Sequence, residues 1–557
     1  MIEAIGITCV KNEADVIEAF VRHNLAYLDA LFVIENDSVD RTREILVELR
    51  KEGLPIVLFD DPIVGHFQKE KMTAIYRRLV PKFKPRFVFL LDADEFIVAQ
   101  SREALYSQLR TMRPGSQAKY YWRTYVPAPT HADCDGSDPL RSITHRRASE
   151  ERSPKSIIVA SPKIDLKLKI EQGNHNVKLM GRSLPAVDLQ DVVLAHFPVR
   201  SVDQLTGKAL VGWITNMERY RHRRRSTFGF QKKLLYQRIL REGGLTAKDL
   251  TEEALKYAQF SPHGSEWPDD VVYDPVSPNY APLTAQSGEV CTPLLKVVRC
   301  VDKILNPDAD LSDIEKAERS LSSHSSGRWL MRKNRLYADL PPFRYLVERD
   351  RPQSVLEIGC GAGAYLKYIA ALGATTIKGV DSTDGRFGYL KRDEYLRLDP
   401  GEHFALPTTF DLVLCTEVIG RVPPESENVL IDNVVRHAGG HIVFSGPRPG
   451  QTGSDQLNRQ PISHWLELFA AAGWYPALFD TLALRSLSTF PWLRNNLVVF
   501  TRDSVGADEA RARLVVLEAD GLEWTRQRPE VVAHPFTEMA GQLSSSGKSR
   551  WLSKISL

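Results

Sequence analysis

The sequence predicts an α/β protein with two mostly parallel sheets, each carrying helices on its faces. Three observations predict it. From the first residues, short β-rich apolar runs alternate with segments of helical period. The same rhythm restarts near Pro352, after a stretch crowded with Pro, Ser, Asp and Gly. In both halves, acids or a glycine-rich turn stand where a strand runs out into a loop, the edge at which open α/β sheets take ligands. A chain of 557 residues is too long for one core. The expected division is an α/β domain over 1–242, a linker with helical segments over 243–335, a second α/β domain over 336–505, and a helical then polar tail over 506–557.

In the first half the expected strands are Ala4–Val10, Ala30–Ile34, Pro55–Phe59 and Arg86–Leu91, separated by helices over Asp15–Leu28, Arg41–Lys51 and Gln68–Leu79. The chain then continues less regularly, with a strand at Lys119–Val126 and Pro-rich turns over Pro127–Pro139. In the second half SVLEIGC, TIKGVD, FDLVLC and HIVFSG read as strands, with a helix through Tyr365–Leu372 after the first.

Composition excludes several classes. Hydrophobic residues make up 43% and charged residues 26%, as in ordinary globular proteins. Lys plus Arg exceeds Asp plus Glu by only 73 to 70, which gives no electrostatic case for a nucleic-acid partner. The six cysteines are scattered, without a CxxC pair or zinc spacing, and fit a reducing cytoplasm. The opening MIEAIGITCVKNEADV has no basic start followed by an apolar stretch, so it does not read as a signal peptide. No apolar run is long enough to span a bilayer, so any membrane contact is expected to be peripheral, at the inner face. The densest positive charge, Arg219–Arg225, reads either as a solvated helix face or as a surface for anionic headgroups and lipid-linked phosphates.

Strand four runs out through Phe87–Leu91 into Asp92-Ala93-Asp94-Glu95-Phe96. Alternate residues of an extended chain point the same way, so Asp92 and Asp94 are expected to converge on one hard divalent cation, Mn²⁺ or Mg²⁺. Such a cation offsets the charge of a departing diphosphate. Acid pairs after strands are also common turn formers. A second polar cluster, Glu35-Asn36-Asp37-Ser38-Val39-Asp40, follows strand two at the same edge, where Ser38 or Asp40 also reads as a helix cap.

These blocks resemble the family 2 type of glycosyltransferase on the GT-A fold, and the opening Thr8-Cys9-Val10-Lys11-Asn12-Glu13, with His23 and the DADEF block, resembles the subgroup with a KNE start. The resemblance covers about the first 100 residues and continues through Lys155, Gly173–Val177 and Ala195–Ser201 to Lys208. It implies a nucleotide-sugar donor and a glycan or lipid-linked acceptor. It places Thr8, Glu13, Glu35, Asn36 and Asp92 on the nucleotide sugar and Asp94 on the metal, with Asp92 near ribose or metal. His196 and His175 are the candidates for a histidine on metal or diphosphate. An inverting mechanism needs a carboxylate base, and Asp133, Asp135 and Asp138 stand in the right stretch of chain.

In the second half, Val355–Ile358 runs into Gly359-Cys360-Gly361-Ala362-Gly363 and a helix. Glycines let backbone approach a ligand, and the helix start offers unpaired N–H groups. The same string satisfies a dinucleotide pattern, so an NAD-dependent domain is the alternative. Glu357 favours a cationic, phosphate-free cofactor, and Asp381 closes the next strand, where it can accept ribose hydroxyls. With Phe410–Val418, these residues resemble class I methyltransferases. The resemblance implies S-adenosylmethionine held by Glu357, Gly359, Gly361, Gly363 and Asp381. Residues 444–497 are similar to methyltransferases found with bacterial surface-glycan clusters. Gly420-Arg421 departs from the acid and histidine common after the Glu-Val step, which leaves Glu417 and His464 as candidates to assist the acceptor. The expected whole is a bifunctional transferase. The other class is a glycan- or nucleotide-binding scaffold with degenerate pockets, for which Asn36 and Gly420-Arg421 speak.

Overall fold

The computed structural model describes residues 2–63, 67–128, 138–149, 154–220, 230–257, 271–284, 291–305, 338–383, 389–451 and 456–520. The chain divides into two compact units, principally Met1–Asp310 and Leu311–Ser544.

The first unit is built on strands β1 (Ala4–Val10), β2 (Ala30–Glu35), β3 (Ile56–Asp60) and β4 (Phe87–Leu91), with helices α1 (Ile17–Asn24), α2 (Thr42–Lys51) and α3 (Gln68–Phe83) between them. The strands run parallel in the order β3-β2-β1-β4, with Ile7 facing Phe32 on one side and Leu90 on the other. β2 and β4 are buried along their whole length, which is why they read as unbroken apolar runs rather than alternating ones. Each helix turns one apolar stripe inward, such as Ile45, Leu46 and Leu49 of α2.

Beyond β4 the chain forms β5 (Glu95–Val98), α4 (Arg102–Arg110), β6 (Gln117–Val126), α5 (Pro139–Ser142), β7 (His145–Arg147) and β8 (Pro154–Val159). β8 lies antiparallel to both β4 and β6, pairing Val159 with Phe87 and Lys155 with Tyr120. A small sheet of β9 (Leu168–Ile170), β10 (Val177–Leu179) and β11 (Arg182–Ser183) follows. β12 (Ala186–His196) then returns to the main sheet, parallel to β6 and antiparallel to β5, setting His196 opposite Glu95.

Two boundaries differ from those expected. After α6 (Val202–Tyr220) and α7 (Phe230–Glu242), much of the stretch expected as linker is packed into the first unit. α8 (Ala247–Lys256) starts on a capping box between Thr246 and Asp249 and buries Leu250, Ala254 and Leu255 against Val126, Val199 and Leu205. Burying a leucine contributes about 1.5–3 kcal/mol, more than Pro- and Gly-rich flanks forfeit. β13 (Val271–Tyr273) pairs with β7, Tyr280 donates to Asp138, and α9 (Pro293–Leu305) packs on α6. Residues 306–337 lie outside the described residues. Likewise the start of the expected tail, helix Ala507–Asp520, belongs to the second unit, where it buries Ala510 and Leu514 and its Glu518 accepts the Ile462 N–H. Residues 521–557 lie outside the description. Arg219 and Tyr220 are the last residues of α6, and the rest of the basic run, 221–225, lies outside the described residues.

Among the described residues the second unit has one seven-stranded sheet: β14 (Ser354–Ile358), β15 (Thr376–Asp381), β16 (Tyr395–Arg397), β17 (Phe410–Thr416), β18 (Ala438–Ser445), β19 (Tyr475–Pro476) and β20 (Val498–Thr501). The order is β16-β15-β14-β17-β18-β20-β19, parallel except that β20 runs antiparallel to its neighbours on both sides. That last step separates the fold from the dinucleotide-binding sheet, whose sixth strand sits directly beside the fifth. No helix among the described residues is long and apolar enough to cross a membrane.

Candidate functional sites

At the carboxyl edge of the first sheet, the chain turns at Ala93 and Asp94, and Glu95 N–H bonds back to Asp92 O. The alternation argument for Asp92 and Asp94 therefore fails, because it holds for extended backbone and this segment is a turn. The two carboxylates meet different partners. Asp92 Oδ1 accepts from Gln68 Nε2 at 2.6 Å and Asn174 Nδ2 at 3.0 Å, and its Oδ2 accepts from Lys155 Nζ at 2.5 Å. Asp94 Oδ2 accepts from Lys208 Nζ at 2.9 Å, with Arg200 Nη1 at 3.9 Å. Burial alone pushes the Asp94 carboxyl up, but Lys208, His196 and Arg200 overcome it and hold it well below the carboxylate range.

The expected metal set of Asp92, Asp94, His196 and His175 is corrected on this geometry. Among the described residues no group of three or more His, Cys, Asp or Glu side chains is placed to hold a metal ion. His175 Nδ1 is engaged by Pro154 O at 2.7 Å, and its ring meets Trp122 edge-on. His196 stacks on the same indole at 4.2 Å, with Nε2 3.7 Å from Asp94 Oδ1 and Nδ1 buried without a partner. Burial, reinforced by Lys208 and Lys155 against the pull of Asp94, brings the His196 imidazole down to about 3, so it is neutral.

The nucleotide-sugar candidates have separate surroundings. Arg200 ties β1 to β4: it bonds Glu13 at 2.6 Å and Asp15 at 2.6 Å and faces Asp94. Glu35 is buried, accepts Ser38 N–H at 2.8 Å, and is pushed up by burial. Asn36 donates to Asp61 and Ile63 O, so it stands in an internal network beside the Lys71–Asp61 ion pair. Thr8 is fully buried with its hydroxyl unpartnered. Asp133 and Asp135 lie outside the described residues. Asp138 caps α5 and accepts from Tyr280, a structural placement. Lys155, Arg200 and Lys208 appear in the sequence as part of the resemblance, but their engagement with the acid pair is legible only in space.

Beneath the acid pair, Glu95 is wholly buried and bonds Trp122 Nε1 at 2.7 Å and Lys155 at 2.9 Å. Burial, with Asp92 and Asp94 adding like charge, pushes it up to about 8. The folded state therefore keeps a proton that the unfolded chain releases near 4.5, so stability is fully present below that value and is lost as pH rises through about 8. The melting temperature should fall across this window, and Glu95→Gln, which keeps the indole's acceptor, should flatten the fall. Thermal unfolding at several pH values checks this; equal slopes for both proteins would refute it.

In the second unit, β14 delivers Glu357 to a turn in which Gly359, Gly361 and Gly363 take φ of 77°, 51° and 76°. A Cβ on Gly359 would lie 2.2 Å from Val418 Cγ2, so the turn needs glycine for packing as well as conformation. Asp381, at the end of β15, accepts Gly361 N–H at 2.8 Å, Thr383 N–H at 2.9 Å and Thr383 Oγ1 at 2.6 Å. Glu357 is buried, one of its oxygens has no partner among the described residues, and burial followed by the nearby Asp381 charge raises it well above the carboxylate range. The five residues expected to hold the cofactor thus share one turn and its neighbouring strand end.

On the acceptor side, Glu417 follows β17 at φ 60° and is held by Ser445, Gln451 and Asn496. Burial raises it against those bonds. His464 Nε2 meets Glu427 Oε1 at 3.0 Å, and Asn458 donates to the other Glu427 oxygen at 2.8 Å. Sequence reasoning missed Glu427, which lies 37 residues from His464 and carries no local signal. Gly420, the departure noted in the sequence, accepts Leu457 N–H through its carbonyl and would bring a Cβ to 2.7 Å from Pro447. Gly420 is thus a packing position.

A methyltransferase-domain family model matches residues 330–492. The ubiquinone biosynthesis O-methyltransferase of Saccharophagus degradans is 26% identical over 176 residues, 29% of this chain and 69% of that protein. Its counterpart in Pseudomonas syringae pv. tomato is 26% identical over 179 residues, 29% of this chain and 71% of that protein. Among solved structures, the O-methyltransferase from the trans-AT PKS multienzyme of Brevibacillus brevis, in complex with S-adenosyl-L-homocysteine, is 16% identical. It covers 44% of this chain and 90% of its own, with a TM-score of 0.25. The second unit carries a methyltransferase domain on a Rossmann-like α/β fold, and the NAD alternative falls.

Proposed function

We propose that this chain is a bifunctional transferase. Its second unit transfers a methyl group from S-adenosylmethionine to a hydroxyl, and its first transfers a sugar from a nucleotide-sugar donor to a glycan or lipid-linked acceptor. The observation that carries the first half is the pairing of the glycine turn with two acids, Glu357 beside it and Asp381 at the next strand end. S-adenosylmethionine supplies an activated methyl on a cationic sulfonium. The unpartnered oxygen of Glu357 suits a cation or ammonium there, Asp381 retains acceptor capacity for ribose hydroxyls, and the positive-φ glycines leave room for close approach. Calorimetry with S-adenosylhomocysteine against NAD tests this; binding of NAD alone would overturn it.

An oxygen acceptor is supported by the ubiquinone O-methyltransferase relatives and by the His464–Glu427–Asn458 chain. Asn458 orients Glu427, Glu427 orients the imidazole, and His464 Nδ1 is left to take the acceptor's proton. Glu427 is a positioning residue. With the best hydroxyl acceptor from a panel of phenols and glycosides, His464→Ala is expected to lower kcat about 100-fold at unchanged KM for S-adenosylmethionine. Glu427→Gln should lower kcat less than His464→Ala does, at unchanged KM for S-adenosylmethionine, because the imidazole loses the carboxylate that orients it. An unchanged kcat would assign Glu427 to structure.

For the first unit, the support is the carboxyl edge of its sheet, where Arg200 joins Glu13 to Asp94, and where Glu35 ends and Asn36 follows the neighbouring strand β2. The divalent cation expected there does not fit the described residues. A screen of sugar nucleotides for donor hydrolysis tests this half; no turnover of any donor, with nucleotide still bound, would favour a scaffold.

A further inference from the structure

The way the acid pair is neutralised carries one step beyond the nucleotide-sugar reading, on which it rests. We propose that the edge around Asp92, Asp94 and Lys208 binds a diphosphate group without a divalent cation, with Lys155 and Lys208 compensating the two carboxylates and Lys208 contacting the anion.

Three observations carry this. First, Asp92 is engaged at both oxygens by Gln68, Asn174 and Lys155. A metal bridging Asp92 and Asp94 would have to expel an ammonium that is itself wholly buried. Second, Asp94 Oδ1 and His196 Nε2, 3.7 Å apart, supply two ligands where a hard dication takes six or more oxygens, and among the described residues no group of three or more His, Cys, Asp or Glu is placed to hold a metal. The two also lie beside the Lys208 ammonium and within reach of the Arg200 guanidinium. Third, the three cations differ in access. Lys155 has no exposed side-chain surface and Arg200 has 4%, whereas Lys208 has 29%, close to the 28% of Asp92.

Those differences assign separate roles. Arg200 is saturated by Glu13, Asp15 and Phe197 O, so it braces the edge. Lys155 lies against the Trp122 ring and serves as internal counter-charge. Among the described residues Lys208 spends two N–H bonds, on Asp94 and Pro198 O, which leaves its third for a ligand. An ammonium fixed by Asp94 and carried on α6 is positive charge already in place, which departure of a diphosphate from a sugar requires.

The test is calorimetry on the full chain with the diphosphates of uridine, thymidine and guanosine and with inorganic pyrophosphate, each in EDTA and then in Mn²⁺. One nucleotide is expected to bind in EDTA within about twofold of its affinity in Mn²⁺. Lys208→Gln should weaken it about tenfold or more, while the circular dichroism of the full chain, the control for folding, matches that of the unsubstituted protein. Binding that appears only with Mn²⁺ overturns the proposal and leaves the nucleotide-sugar reading standing. Pyrophosphate binding in EDTA without any nucleotide preference supports the anion site and removes that reading. Silence from every probe in both buffers removes both. As a second readout, the Mn²⁺ paramagnetic resonance signal should remain that of the free ion when protein is added. A protein-bound signal that Asp94→Asn abolishes would overturn the proposal.

Discussion

Asp381→Ala is expected to lower S-adenosylhomocysteine affinity by about 30- to 1000-fold, equivalent to ~2–4 kcal/mol. The side chain has two tasks. It anchors the glycine turn by accepting Gly361 N–H, and it fixes the exit of β15 by accepting both donors of Thr383. Under the proposed function it also accepts from the ribose. Hydrogen bonds to a charged acceptor contribute about 1.5–3 kcal/mol each, so losing the acceptor for the ligand and relaxing the turn that shapes the site add in the same direction. Asp381→Asn keeps one acceptor oxygen and should fall between. Calorimetry on the three proteins checks the order; equal affinity in all would place the ribose elsewhere.

Lys155→Met is expected to be the most damaging single change to the first unit, costing about 3–5 kcal/mol of stability. The ammonium lies between Asp92 at 2.5 Å and Glu95 at 2.9 Å with no exposed side-chain surface. Methionine fills a similar volume but leaves the ionised Asp92 carboxylate without its buried cation. The loss should be partly recovered by adding Asp92→Asn, since a neutral amide needs no counter-charge and still accepts from Gln68 Nε2 and Asn174 Nδ2. Chemical denaturation of the single and double variants measures the coupling as a cycle. S-adenosylhomocysteine binding should survive in all of them, because it belongs to the other unit. A loss for Lys155→Met no larger than that of an exposed lysine would show that the acids are compensated some other way.

Much of the fold was legible because it is written locally. The alternation of strands and helices from β1 to β4 follows from periodicity within ten or so residues, and the observed elements begin and end within a few residues of those expected. The glycine turn after β14 was legible for the same reason: strand, turn and helix are contiguous. The linker was misjudged because composition weighs Pro, Ser and Gly heavily, while the three apolar residues that bury α8 against β6 and α6 are few. The acid pair was misjudged because the period-two rule was applied across a turn.

By itself, then, the sequence determined two α/β units, the acids at the open edge of each sheet, and the glycine turn with Glu357 and Asp381. Only the tertiary structure decided what those groups face. Lys155 reaches Asp92 across 63 residues because β8 returns antiparallel beside β4, and Lys208 reaches Asp94 across 114 because β12 leads into α6 over the same edge. Glu427 and His464 meet from two different helices. The physical reason is one of range: backbone periodicity and turn chemistry act between neighbours in the chain, whereas the charge on a buried carboxylate is settled by whatever cation the fold brings within a few ångströms.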